Sequence, residues 1–203
     1  MQSELELLSR YLPDGTASYV LEKLKRYPVT FKIVNPRRTK LGDFKVRNRG
    51  LSFQITVNND LDPINFLMTT LHEIAHLYNW KEYKGKIAPH GKEWKQEYKN
   101  LFAPILNKNY FNEKDLNMLK QHLVNPKASS AGDETVQKFL KKEGVTYLED
   151  LEINAVFILG KKMFRIEKKL RKRYLCLDVI SKKKYYVQGM AEVRPFPYPI
   201  DDF

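Results

Sequence analysis

The sequence predicts an α+β protein: a helix-rich domain with a small sheet over residues 1–124, a linker over 125–133, and a small basic β-rich module over 134–203. Three observations predict it. Apolar residues recur with a helical period from Ile64 to Tyr78, marking a long buried helix. Leu51, Phe53, Ile55 and Val57 alternate with Ser52, Gln54 and Thr56, the two-residue period of a half-buried strand. After the small, polar, aperiodic run Asn125-Pro-Lys-Ala-Ser-Ser-Ala-Gly-Asp133, the chain changes to short candidate strands.

The elements follow in order. Ser3-Glu-Leu-Glu6 fits a capping box and opens a short helix to about Leu12. Pro13-Asp14-Gly15 is a turn, and a second helix follows from Thr16 with Val20, Leu21 and Leu24 inward. Val29–Val34 reads as a strand, and Asp43–Arg47 with Leu51–Val57 as a hairpin around Asn48-Arg49-Gly50. Asp62-Pro63 opens the long helix, Asp as N-cap and Pro at the first helical position, with an end near Trp80. A further helix begins near Gly91, turns Trp94, Tyr98, Leu101 and Phe102 to one side, and stops before Pro104; a short one follows Asn112. Beyond the linker come a helix over 134–142 and strands at 155–159, 162–166, 174–180, 184–188 and 191–193. The Pro-rich end is extended and unable to continue a sheet interior.

A chain of 203 residues suits one domain plus a small module. With 11 Phe, 12 Tyr and 2 Trp it carries too many aromatics for a disordered chain. A net charge of +12 predicts attraction to nucleic acid, an acidic partner or an anionic surface. Cys176 is the only cysteine, so neither an internal disulfide nor a thiolate metal cage can be built. The first residues lack the basic start and apolar run of a signal peptide, and no apolar stretch has membrane-spanning length. The expectation is a cytoplasmic protein with no membrane partner, nucleoid-associated in a bacterium. No oligomeric state follows from these features.

His72-Glu73-Ile74-Ala75-His76 is an HExxH pattern inside the long predicted helix. Residues four apart share a helical face, so both imidazoles can meet one ion. Glu73 is turned from them by ~100° and can reach a water activated by that ion, whose pKa zinc lowers from near 16 to about 7. Asn65, Thr69, His72, His76 and Asn79 form a polar stripe on an apolar helix, the expected lining of a cleft. Of four His, three fall within nineteen positions. His90, before Gly91 at the mouth of the next helix, is the favoured third ligand, with Glu93 or Glu97 as alternatives. His122 reads as a surface histidine, and Tyr83 and Tyr110 as nearby candidates for stabilising an oxyanion. The extended pattern HExxHxxGxxH is excluded, because Asn79 and Glu82 stand where Gly and His would be required.

Leu71-His-Glu-Ile-Ala-His76 followed by His90-Gly-Lys-Glu-Trp94 resembles the SprT-like family, which includes Spartan-type proteases. Thr39-Lys-Leu-Gly42 and Ile55-Thr-Val-Asn58 are similar too, and the resemblance spans roughly Thr16 to Lys120. It implies a zincin-like metallopeptidase domain, a small twisted sheet packed on the HExxH helix. It also implies one zinc held by His72, His76 and His90, Glu73 as catalytic base, and a protein substrate attached to DNA. Many relatives end in a zinc ribbon; here Phe164 and Arg173-Tyr-Leu-Cys176 echo its strands without three of the four thiols. The module must then be held by its apolar core.

Lys161, Lys162, Arg165, Lys168, Lys169, Arg171, Lys172, Arg173, Lys182, Lys183 and Lys184 stand against only Glu167 and Asp178, a surplus of nine positive charges in 24 residues. Phe164, Tyr174, Tyr185 and Tyr186 are interleaved. Phosphate attraction with aromatic stacking is the physics of nonspecific DNA or RNA binding. Two functions compete: a zinc endopeptidase tethered to nucleic acid, and a nucleic-acid- or transcription-associated binding protein with a structural or weakly active metal site. The basic stretch Pro36-Arg-Arg-Thr-Lys40 reads as a solvated loop, with Arg37 and Arg38 as the fallback nucleic-acid contact.

Overall fold

Local signals open the first helices. Ser3 closes a capping box with Glu6, its Oγ accepting from the Glu6 N–H at 3.1 Å while the Glu6 carboxylate accepts from the Ser3 N–H at 2.9 Å. The computed structural model describes residues 3–37, 40–127, 141, 144–171 and 173–196. The chain is mixed α+β and forms two compact units, Met1–Phe139 and Leu140–Phe203. The expected linker past Lys127 and the helix at 134–142, apart from Lys141, lie outside the described residues.

In the first unit, α1 (Glu4–Ser9) and α2 (Ala17–Lys25) precede β1 (Val29–Val34), β2 (Gly42–Arg47) and β3 (Ser52–Asn58). The sheet order is β1-β3-β2, with β1 parallel and β2 antiparallel to β3. The β2–β3 hairpin turns through Asn48, Arg49 and Gly50, all at positive φ. Central β3 buries Phe53, Ile55 and Val57, as the alternation predicts, but Leu51 lies before the strand and is 85 % exposed, and Thr56 and Asn58 on the opposite face are buried as well.

α3 (Pro63–Tyr83) is buried on nearly every side, which explains its almost unbroken apolar sequence. Asp62 caps it by accepting from the Asn65 N–H at 3.1 Å. It runs one turn beyond the expected end at Trp80, because Lys84 adopts the left-handed cap and its N–H reaches the Trp80 carbonyl at 2.8 Å. α4 (Lys92–Leu106) also runs longer than expected, continuing through Pro104. So near a C-terminus, proline removes one backbone bond only, and buried Phe102 and Ile105 hold the turn. α5 (Glu113–Val124) starts at the Asn112 cap. His122 on α5 is 3 % exposed, not at the surface, because its Nε2 lies 3.3 Å from the buried Tyr98 hydroxyl.

The second unit is an antiparallel sheet of β4 (Val156–Leu159), β5 (Lys162–Lys169), β6 (Arg173–Asp178), β7 (Lys184–Gln188) and β8 (Arg194–Pro195), in the order β7-β6-β5-β4-β8. Phe157, Phe164, Ile166, Tyr174, Cys176 and Val187 build its core with Leu148 and Val193. Pro195 sits on an edge strand, where its missing N–H costs no ladder bond. The expected strand at 191–193 is displaced to that edge. None of the described helices is long and apolar enough to cross a membrane.

Candidate metal centre

α3 sets His72 and His76 one turn apart on one face, and His90 arrives from the loop before α4, beside the N-cap Gly91. Their Nε2 atoms form a triangle with sides of 3.1 Å (His72–His76), 3.0 Å (His76–His90) and 3.2 Å (His72–His90). Three ring nitrogens cannot satisfy one another, since each hydrogen bond needs one donor and one acceptor and a ring N–H points in one direction. Lone pairs converging on a cation resolve the conflict. The size fits: a tetrahedral ion bound at ~2.0–2.1 Å spaces its nitrogens by roughly 3.3 Å. Among the described residues, these three are the one His, Cys, Asp or Glu group of three or more able to hold a metal ion.

The rings rest on Trp94 of α4, which is fully buried, with ring centroids 4.5, 5.4 and 4.9 Å from His72, His76 and His90. Trp94 stacks in turn on Tyr98 at 5.0 Å. Burial holds His72 well below the usual imidazole range and pushes His76 down to about 4; His90 is lowered by the same cause. All three rings are therefore neutral near pH 7, the form a metal ion requires.

Glu73 stands outside the triangle, as its place on the helix dictates. It is 7 % exposed and lies against β2. Burial pushes its pKa up to about 8 and Asp43 adds to this; the Phe44 N–H bond, Arg37 and Lys40 oppose it. A cation at the histidines favours its carboxylate form. Gly42 makes the close approach possible: a Cβ there would lie 2.5 Å from Glu73 Oε1 and 2.6 Å from Thr69 Cγ2. Arg37 fixes the loop leading into β2. Its guanidinium donates to Asn58 Oδ1 at 2.9 Å and Thr56 Oγ1 at 2.8 Å, so it serves the fold rather than standing free as a phosphate contact. Arg38 lies outside the described residues.

A profile of the SprT-like family matches residues 14–110, a span holding the first sheet, α3 and the three histidines. Across that span the chain is similar to the SprT-like family. Protein SprT of Escherichia coli K12, of Escherichia coli O9:H4 strain HS and of Shigella boydii serotype 18 are each 57% identical over 32 residues, 16% of this chain and 19% of theirs. The chain thus matches about a fifth of the length of these relatives. No solved structure matches it.

Other candidates in the first unit fall elsewhere. Glu93 and Glu97 are not in the histidine group; with Arg26, Tyr78, Asn79 and Tyr83 they line a polar cavity of about 570 Å³. Tyr110 lies over Gly15 in the turn before α2. Sequence reasoning passed over the roles of Gly42 and Trp94. A glycine opening an alternating strand, and a tryptophan four residues after His90, were the available signals.

The basic residues of the second unit divide into two groups. Lys161, Lys162, Lys182, Lys183 and Lys184 gather where the β4–β5 and β6–β7 turns meet; Lys168, Lys169, Arg171 and Arg173 gather at the opposite end, around the β5–β6 hairpin. The six residues of β6 separate them by roughly 20 Å. Arg165 lies between, paired across the sheet with Leu177, and Lys172 is outside the described residues. Lys162 is bound to Asp178 at 3.1 Å and Lys184 to Glu167 at 2.9 Å, so part of the charge is balanced locally.

Proposed function

We propose that the chain is a zinc-dependent endopeptidase whose zincin-like SprT-like domain cuts proteins bound to nucleic acid. The observation that carries this reading is the Nε2 triangle of His72, His76 and His90, with Glu73 on the same helix outside it. Three imidazoles and no thiolate suit a single zinc with one open position, whereas structural zinc sites close with four protein ligands. When bound, zinc supplies Lewis acidity at the carbonyl to be attacked and to the attacking water.

The chain's own residues do the rest. His72, His76 and His90 offer neutral lone pairs in fixed directions, held by packing on Trp94. Glu73 accepts the proton of the attacking water and delivers it to the leaving amine. Gly42 and the Phe44 N–H hold its carboxylate in place. A buried carboxylate is expensive to keep, and a purely structural metal site gains nothing from it; this favours the enzyme over the adaptor. The two basic groups of the second unit are the proposed contact with DNA or RNA, and buried, free Cys176 suits a reducing compartment.

The test is cleavage of DNA-bound protein by wild type and Glu73→Gln. The variant should keep about one zinc and lose roughly 10²–10⁴-fold in turnover. Unchanged turnover with zinc retained would place the chemistry elsewhere.

A further inference from the structure

A second cavity opens beside His76, of about 280 Å³, bounded by Phe44 and Val46 of β2, His76 and Trp80 of α3, and Ile87 and Ala88 of the loop before α4. It shares with the metal centre one candidate ligand, His76, and one strand residue, Phe44, whose backbone N–H meets Glu73. Whatever fills it therefore sits next to the reacting bond.

The walls are preformed. Phe44 lies nearly parallel to His76, at 6.5 Å and 9°, and stacks on Phe53 at 6.1 Å. Trp80 packs on Phe53 at 5.0 Å, and its far edge is so close to Gly50 that a Cβ there would be 2.6 Å away. The loop turns through Lys84 and Gly85, both at positive φ, and closes with the Gly91 N–H on the Ala88 carbonyl at 3.0 Å. Asn79 also borders the cavity; it is 8 % exposed and its Nδ2 is an unpaired donor. Apolar walls with one unpaired polar group are the composition of a binding pocket. At about 280 Å³ it falls just under the ~300–1,000 Å³ of small-molecule sites, the size for one large side chain.

We infer that this cavity is a specificity pocket for a single large aliphatic side chain, leucine or methionine in size, of the polypeptide being cut beside the scissile bond. The inference rests on the peptidase reading of the histidine centre. No charged side chain forms these walls, so a lysine entering would lose its hydration without gaining a partner. An alanine would leave the apolar walls uncovered. The extra carbons of leucine favour it over alanine by about tenfold or more.

The test uses full-length, zinc-loaded Glu73→Gln protein and capped tripeptides Ala-Xaa-Ala, with Leu, Ala or Lys as Xaa, titrated by the Trp80 indole resonance. The Leu peptide should bind about tenfold more tightly than the other two. Ala88→Phe, filling the pocket from an exposed loop position, should erase that difference with zinc content unchanged. Val46→Lys at the exposed rim should weaken the Leu peptide selectively, and keeps the test open should Ala88→Phe misfold. Equal affinities in the unfilled pocket overturn the inference. Mapping wild-type cuts in an unfolded protein separates the two readings. Cuts with no enriched Leu or Met beside them overturn the pocket and leave the peptidase; no cuts by zinc-loaded protein overturn both.

Discussion

The metal-centre helix and the basic sheet handle polarity in opposite ways. On α3, Asn65, Thr69, Thr70, Glu73 and Asn79 are all buried, and Thr69 Oγ1, Thr70 Oγ1 and Asn79 Nδ2 have no hydrogen-bond partner. Each such group costs free energy that a plain apolar helix would avoid. In the second unit the core is almost wholly apolar and aromatic, and Lys161, Lys168, Lys169, Arg171, Lys182 and Lys183 are exposed at little cost. Buried polarity without a structural partner is the stronger pointer to function, because solvated charge can exist without one.

If the two units are energetically separate, damage to one should leave the other's property intact. The largest effect is expected from Phe157→Ala, which empties the centre of the second core and should cost that unit ~3–5 kcal/mol. Calorimetry should show one unfolding transition moving down while zinc content stays the same. Loss of zinc would mean that the two units are energetically coupled.

Gly42→Ala comes next. Its Cβ would meet Glu73 Oε1 at 2.5 Å, so the carboxylate must move. A shift of about 1 Å costs up to ~100-fold, so turnover should fall by ~10–100-fold at unchanged metal affinity. An equal loss of zinc would mean that Gly42 holds the centre together rather than positioning Glu73.

Smaller changes are expected from charge. Lys182 and Lys183 reversed to Glu, and separately Lys168 and Lys169, should each weaken DNA binding and flatten its salt dependence, by ~0.7–0.9 in slope for each phosphate no longer neutralised. An effect from only one pair would assign nucleic-acid binding to one end of the sheet. The smallest concerns acid stability. Asp178 is pushed down to about 2, chiefly by the Ser181 N–H at 3.1 Å, with Lys162 and the Ile180 N–H adding while burial opposes. A depressed carboxyl stabilises the fold above its unfolded pKa of ~3.9, and this is lost as pH falls through the folded value. The melting-temperature gap between wild type and Asp178→Asn should close between about pH 4 and pH 2.

Much of this was legible because the signals were local. The Asp62 cap, the Ser3–Glu6 box and the inward Phe53, Ile55 and Val57 each depend on neighbours within a few residues, and the structure carries all three. The spacing of His72 and His76 is equally local. What escaped depends on long-range packing. His122 is buried because Tyr98, from another helix, meets it. Arg37 is tied to Thr56 and Asn58, about twenty residues away in sequence. Gly42 matters only because α3 crosses β2 at that point. The single basic run of the sequence becomes two groups because a hairpin folds it back on itself.

Whether His72, His76 and His90 together hold one catalytic ion is tested best at His90, which alone comes from outside α3. The measurement is the metal content of the purified full-length chain near pH 7, wild type beside His90→Ala, with circular dichroism to check the fold. The expected result is about one zinc per wild-type chain and little in a folded His90→Ala. A folded His90→Ala chain that keeps its full zinc, or a folded wild type that takes up none from zinc-containing buffer, would contradict it.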